Sequence, residues 1–290
     1  MKPSTALPGL SRLAPTYTAE LFAPLHGELM ALLRGLAPAD WERPTIAGAW
    51  RVRDVAAHLL DGDLRKLSGQ RDGQRLGPEG PIDGYRDLVA WIDAENASGV
   101  AFAQRLSPRL LVDLLEITGR WVADFVVVLD PHASAWISVL WAGETRSENW
   151  MDTGREYTER WHHQMQIRDA VKAPHLFADR WLRPLLDLSV RALPPAYAET
   201  EAPEGTTVTL AVTAESRMAW TLVREGGGWS LYGGEPQPPA AAGTTVTAGP
   251  ATVWRLFYNA LSRTAAPAVI TVSGETRLAE PLLLARSVMV

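Results

Sequence analysis

The sequence predicts a mixed architecture, a helical N-terminal bundle followed by a smaller α+β unit. Three observations carry this reading. Apolar residues recur at helical spacing through most of the first 192 positions. A Pro-rich, acidic stretch, L-P-P-A-Y-A-E-T-E-A-P-E, then breaks the pattern at 193–204. Beyond it, runs such as T-T-V-T-L-A-V-T and M-A-W-T-L-V-R alternate apolar and polar positions, as half-buried strands do. The expected division is a helical domain over 1–192, a linker over 193–204 and an α+β domain over 205–290.

Residues 1–15 are punctuated by proline and read as a loose leader. Leu21, Leu25, Leu29, Leu32, Leu33 and Leu36 form the apolar stripe of a first helix, which Pro38 closes. After an ordered loop over 41–50, a second helix runs from about Val52 to Leu67, with Asp54 in the first turn where the helix dipole favours an anion. The Gly-, Pro- and Arg-rich stretch 68–84 reads as a surface loop over a site. Helices are expected at 85–106 and 108–128, with Pro108 tolerated in a first turn. Residues 135–142 read as a strand or buried extended segment, and helices follow at 153–171 and 176–192. In the last domain, E-G-G-G is a hairpin turn, one helix covers 250–261 and another 278–286.

At 290 residues, 47% apolar and 21% charged, the chain has the composition of a globular protein long enough for two domains. A net charge of −5 and a pI near 5.7 argue against a nucleic-acid or anionic-membrane surface. The absence of cysteine excludes disulfides, Cys-ligated metals and a protein thiol nucleophile. Thiol chemistry, if any, must arrive on a small molecule. The N-terminus lacks a signal peptide's apolar core, and no apolar run approaches the ~18 residues of a membrane span. The expected location is the cytoplasm.

The chemistry concentrates in R-E-Y-T-E-R-W-H-H-Q-M-Q-I-R-D-A-V, residues 155–171. On a helix, Glu159 and His163 stand four apart on one face, so a carboxylate and an imidazole can grip one divalent cation. His58, in R-V-R-D-V-A-A-H-L-L, is the candidate third ligand. Two imidazoles and one carboxylate suit zinc, with nickel or iron as options, and leave coordination positions open for substrate. The bland alternative is a surface Glu–His pair with His58 satisfied in the core. Trp50, Trp161 and Trp121 fall in or beside helical apolar faces and read as core, with Trp50 and Trp161 the candidates to line a site. Arg51, Arg53, Arg65, Arg71, Arg224 and Arg255 are candidate counter-charges for an anionic ligand. His26 reads as exposed or capping, and His132 and His175 suggest nothing.

W-R-V-R-D-V-A-A-H-L-L resembles the entry to helix two of the DinB-like metal-binding bundles, in their mycothiol-dependent maleylpyruvate isomerase branch. There a Trp-x-Val-x-Asp-x-x-x-His pattern delivers a metal ligand. E-R-W-H-H-Q-M-Q-I-R is similar to that branch's Glu-x-x-x-His block. The resemblance implies a four-helix bundle over most of residues 15–192, with His58, Glu159 and His163 as metal ligands, and a sterol-carrier-like domain over 205–290. Trp50, Trp161 and Arg255 are then the candidates for binding the cofactor. It also implies a low-molecular-weight thiol, mycothiol or bacillithiol, made nucleophilic by the metal. Such a thiolate either adds to a double bond and leaves, as in cis–trans isomerisation, or stays attached, as in a transferase. The partners implied are that thiol and a small electrophile, with a homodimer as an option. Where many relatives carry Asp three residues after the second His, this chain has Gln166; His162 and Glu156 are neighbouring alternatives as ligands. The rival readings are a non-catalytic metal-stabilised scaffold and a metal-dependent hydrolase with Glu156 as base.

Overall fold

The structure is a computed structural model, and it describes residues 7–74, 77–78, 83–237, 243–261 and 268–288. Two compact units emerge, and they interleave along the chain. The helical unit comprises Tyr17–Ile137 and Ser147–His175; the other gathers the segment up to Thr16, Ser138–Arg146 and the chain from Leu176 onward. The expected division at 192 follows chain order, whereas the units do not.

The helical unit is built on α1 (Phe22–Arg34), α2 (Val52–Arg65), α3 (Tyr85–Ala103), α4 (Pro108–Val127) and α5 (Asn149–Val171). Their starts are written locally. The Arg51 N–H donates to Asp54 Oδ2 at 3.0 Å, which closes the first turn of α2, and Ser107 Oγ accepts from the Leu110 N–H at 3.3 Å ahead of Pro108 in α4. Helix α5 ends at Lys172, whose φ of 58° lies in the left-handed region. Helix α2 packs against α3, α4 and α5, and α1 against α4 and α5. Leu29, Leu33, Val55, Leu59, Leu111, Leu115 and Ile167 form the core where these helices meet.

Several segments differ from expectation. Helix α2 does not give way to a loop at 68; it continues as a π-helical turn over Lys66–Arg71 that keeps Lys66 and Leu67 buried. The rest of that stretch lies partly outside the described residues. Residues 135–142 form no strand: after an isolated bridge between Ser134 and Glu148 come bends and a short 3-10 turn, Leu140–Ala142. Helix α5 begins at Asn149 rather than 153: the Met151 and Asp152 N–H groups close its first turn on the Glu148 carbonyl, and the buried residues there, Asn149, Asp152 and Thr153, are polar and give no apolar pattern. Trp121 is 51% exposed, not core, and His26 is half-buried against Gly119 rather than exposed.

The second unit has a six-stranded sheet in the order β1-β4-β3-β2-β5-β6. Its strands are β1 (Leu10–Arg12), β2 (Thr207–Thr213), β3 (Arg217–Glu225), β4 (Gly228–Gly234), β5 (Gly243–Ala248) and β6 (Ile270–Ser273). Strands β2 and β5 pair in parallel and the other neighbours antiparallel. The proline-punctuated leader thus supplies an edge strand. At the β3–β4 hairpin, Gly226 and Gly227 take φ of 61° and 79°, the conformation that a tight hairpin turn demands. Helices α6 (Asp179–Ser189), α7 (Leu193–Ala196), α8 (Pro250–Phe257) and α9 (Thr276–Leu284) belong to this unit. The expected linker is therefore helical at its start, and the Trp220 Nε1–H ties β3 to α6 by donating to Asp187 Oδ1 at 2.7 Å. Among the described residues no helix is long and apolar enough to cross a membrane.

Candidate functional site

Helices α2 and α5 meet along a polar stripe. They run in opposite senses, since His58 meets His163 while Lys66, farther along the chain from α2, meets Asp152, farther back along α5. At one end three imidazoles gather. The rings of His58 and His163 lie 4.6 Å apart, edge to face, and those of His162 and His163 lie 5.1 Å apart. Trp50 tilts over His58 at 5.0 Å.

Gln166 orders two of these rings. Its Oε1 sits 2.8 Å from His163 Nδ1 and its Nε2 2.9 Å from His162 Nε2. An amide oxygen only accepts and an amide nitrogen only donates, so His163 carries its proton on Nδ1 and His162 Nε2 offers a lone pair. His163 Nε2 faces Glu159 Oε2 at 3.4 Å. A carboxylate beside an imidazole nitrogen at this range makes either an ion pair or two ligands of one cation. The separation fits the ~3.3 Å edge between neighbouring ligands of a tetrahedral ion with bonds of about 2.0–2.1 Å.

His58 has the right chemistry for a third donor. Burial, the His163 ring and Arg65 drive its pKa well below the ordinary histidine value, against a smaller opposing pull from Glu156. It is therefore a neutral imidazole at physiological pH, and its buried Nδ1 has no hydrogen-bond partner among the described residues. His162 is kept neutral in the same way, by burial and the two neighbouring rings. As the side chains stand, however, no three His, Asp or Glu groups among the described residues close on one point at metal-binding distance. The chemistry of the donor set, two imidazoles and a carboxylate, fits a divalent metal.

The other end of the stripe is a buried charge cluster that the sequence reading missed. Lys66 is 2% exposed, and its Nζ lies 3.7 Å from Asp152 Oδ2 without a hydrogen bond among the described residues. Asp152 Oδ1 accepts from the Arg155 guanidinium at 3.0 and 2.9 Å, and Glu156 receives Arg155 at 3.2 Å and Arg160 at 3.3 Å. Arg160 also pairs with Asp63, which accepts from the Thr118 hydroxyl at 2.7 Å. Burial opposes ionisation of Glu156, but Lys66, Arg160, Arg155 and Arg65 outweigh it and bring its pKa down to about 2. The available signal was the spacing of Asp152, Glu156, Glu159, His163 and Gln166 along one face of a helix whose opposite face is also buried.

The remaining candidates are dispersed. Trp161 is fully buried in α5. Arg255 lies in the other unit, on α8, its guanidinium 4.8 Å over the Trp254 ring. Arg51 and Arg53 pair with Glu42, Arg65 with Asp61, and Arg71 with Asp72. Arg224 stands on β3.

The helices that carry this stripe fall within the match to a known family. The mycothiol maleylpyruvate isomerase N-terminal domain matches residues 22–168, half of the chain. The chain belongs to this family. Over most of its length it is also similar in fold to a solved mycothiol-dependent maleylpyruvate isomerase, with a TM-score of 0.52 and 14% identity. That likeness covers 89% of this chain and 92% of the other. A histidine-to-alanine mutant of a mycothiol-dependent maleylpyruvate isomerase gives a TM-score of 0.50 at the same identity and coverage. No curated protein sequence matches.

Proposed function

We propose that the chain is a metal-dependent enzyme that uses a low-molecular-weight thiol, mycothiol or bacillithiol, as its nucleophile. The reaction is cis–trans isomerisation of a small unsaturated acid, as in maleylpyruvate isomerases, or transfer of the thiol to a small electrophile. Helices α1, α2, α4 and α5 read as the four-helix core of a DinB-like bundle, and the sheet unit as its sterol-carrier-like companion.

What supports this is the His58–His163 ring contact together with the His163–Glu159 contact on the α2–α5 stripe, inside the family match. Those three residues would hold the metal, zinc before nickel or iron. When bound, it supplies a Lewis acid that keeps a thiol ionised near neutral pH. Gln166 Oε1 takes the His163 Nδ1–H, so the neutral ring would turn its Nε2 lone pair to the metal beside the Glu159 carboxylate. Trp50 lies beside the His58 ring at a tilt, 5.0 Å between centroids. Glu156, with its pKa near 2, is a poor proton acceptor at neutral pH, which argues against the hydrolytic reading.

Elemental analysis of the purified protein, with calorimetric titration of mycothiol and bacillithiol, tests the proposal. The expected result is one divalent metal per chain and saturable binding of one thiol, both lost in His163→Ala. Gln166, an amide where the resemblance expects a carboxylate, favours the scaffold reading as the rival. If metal removal unfolds the helices and neither thiol binds, the scaffold reading replaces the enzyme.

A further inference from the structure

Away from the metal stripe, three side chains of the helical unit form a relay with the connectivity of a base-activated nucleophile. The loop before α5 is pinned by backbone bonds: the Trp150 N–H donates to the Pro131 carbonyl, Asn149 N–H to Ala133 and Ala135 N–H to Ser147, each at 2.9 Å. On that loop His132 Nδ1 lies 3.0 Å from Glu148 Oε2, and His132 Nε2 lies 3.2 Å from the Tyr17 hydroxyl. The Trp150 Nε1–H, donating at 2.8 Å, fixes the same Glu148 oxygen. A carboxylate only accepts, so His132 carries its proton on Nδ1. In the neutral imidazole Nε2 is then the lone pair, and the phenol donates to it. A nucleophile, a base within hydrogen-bond reach and a third group that orients the base are thus in one line. Tyr17 is 57% exposed, so the residue lies at the surface. Tyr157, Tyr197, Tyr232 and Tyr258 are buried.

We propose that Tyr17 is an activated phenol that accepts an acyl group from small activated esters and related acyl donors. Tyr17 Oη attacks the carbonyl carbon; the new O–C bond forms as the bond from carbon to the leaving group breaks. The phenolic proton passes to His132 Nε2 and then to the departing group, while Glu148 stabilises the imidazolium. The products are an aryl ester on Tyr17 and the protonated leaving group, with no change of oxidation state. This site stands apart from the metal-binding reading and does not depend on it.

The test is acetylation of the full chain by p-nitrophenyl acetate, followed by intact mass and peptide mapping. N-acetyl-tyrosinamide serves as the unactivated reference. Tyr17 is expected to acetylate about a hundredfold faster than the reference, within the range of general-base assistance. His132→Gln should slow it at least about tenfold, Glu148→Gln should slow it less, and Tyr17→Phe should remove the adduct. A Tyr17 rate equal to the reference, an unchanged rate in His132→Gln, or an adduct on His132 in place of Tyr17 overturns the proposal and leaves the relay as a staple of the loop. If His132→Gln fails to fold, the comparison of the parent protein with the reference still decides.

Discussion

At Glu156 the burial of a carboxylate and the company of cations pull in opposite directions, and the cations win. Taking the charge out of water raises its pKa; Lys66, Arg160, Arg155 and Arg65 lower it further than burial raises it, to about 2 from an ordinary 4.5. A depressed folded-state pKa contributes stability that is fully present above the unfolded value and is lost as pH falls through the folded one. Glu156 should therefore contribute about 3 kcal/mol at neutral pH, fading between pH 4.5 and about 2. Glu156→Gln should lower the urea midpoint at pH 7 and shrink its acid dependence across that window; parallel acid profiles for variant and parent would refute this. Gln166 acts by geometry instead. Gln166→Leu leaves His163 Nδ1–H and His162 Nε2 without the partners they now have. Metal affinity, read by competition with a chromogenic chelator, should fall ~10–100-fold. Gln166→Asp, which keeps an acceptor for His163, should retain most of it. A leucine variant that binds as tightly as the parent would remove Gln166 from the site.

Helix packing turns on positions where one atom decides. A Cβ at Gly119 of α4 would stand 2.2 Å from the His26 ring of α1, closer than any real contact. The ring is half-buried, and burial lowers its pKa against the smaller pull of Asp63. Gly119→Ala should cost about 1–3 kcal/mol by overpacking, read as a lowered urea midpoint with unchanged m-value; an unchanged midpoint would mean that α1 and α4 have slack. The sequence made some elements legible and hid others for physical reasons. Helices α1, α2 and α4 bury an apolar stripe, so periodicity finds them. Helix α5 buries Asp152, Thr153, His162, His163, Gln164 and Gln166 as well as Trp161 and Met165, so polarity masks both its start and its second buried face. The Glu159–His163 pair was readable because four-residue spacing needs no tertiary knowledge. The charges at Asp63, Lys66 and Arg160 were not, because in a sequence a buried charge looks like a solvated one. Strand β1 has only three residues and takes its structure from β4.

For the whole molecule, chain order and compact unit disagree. Composition marked the change near 193, but it could not show that Ser138–Arg146 and the segment up to Thr16 fold with the residues that follow. The proposed metal ligands, by contrast, all fall in one unit, on α2 and α5. A ligand that binds only the native state stabilises it by about 2.7 kcal/mol at a hundred times its dissociation constant, and that gain appears where the ligands are. Hydrogen exchange of the zinc-loaded and chelator-stripped protein should therefore differ over α2 and α5, with the largest change in peptides containing His58, Glu159 and His163. The amides of β2, β3 and β5 should exchange alike in both forms. The same experiment on His163→Ala should show no zinc-dependent protection of α2 or α5. Protection that appeared first in the sheet unit, or that survived His163→Ala, would move the metal elsewhere and take the proposed thiol chemistry with it.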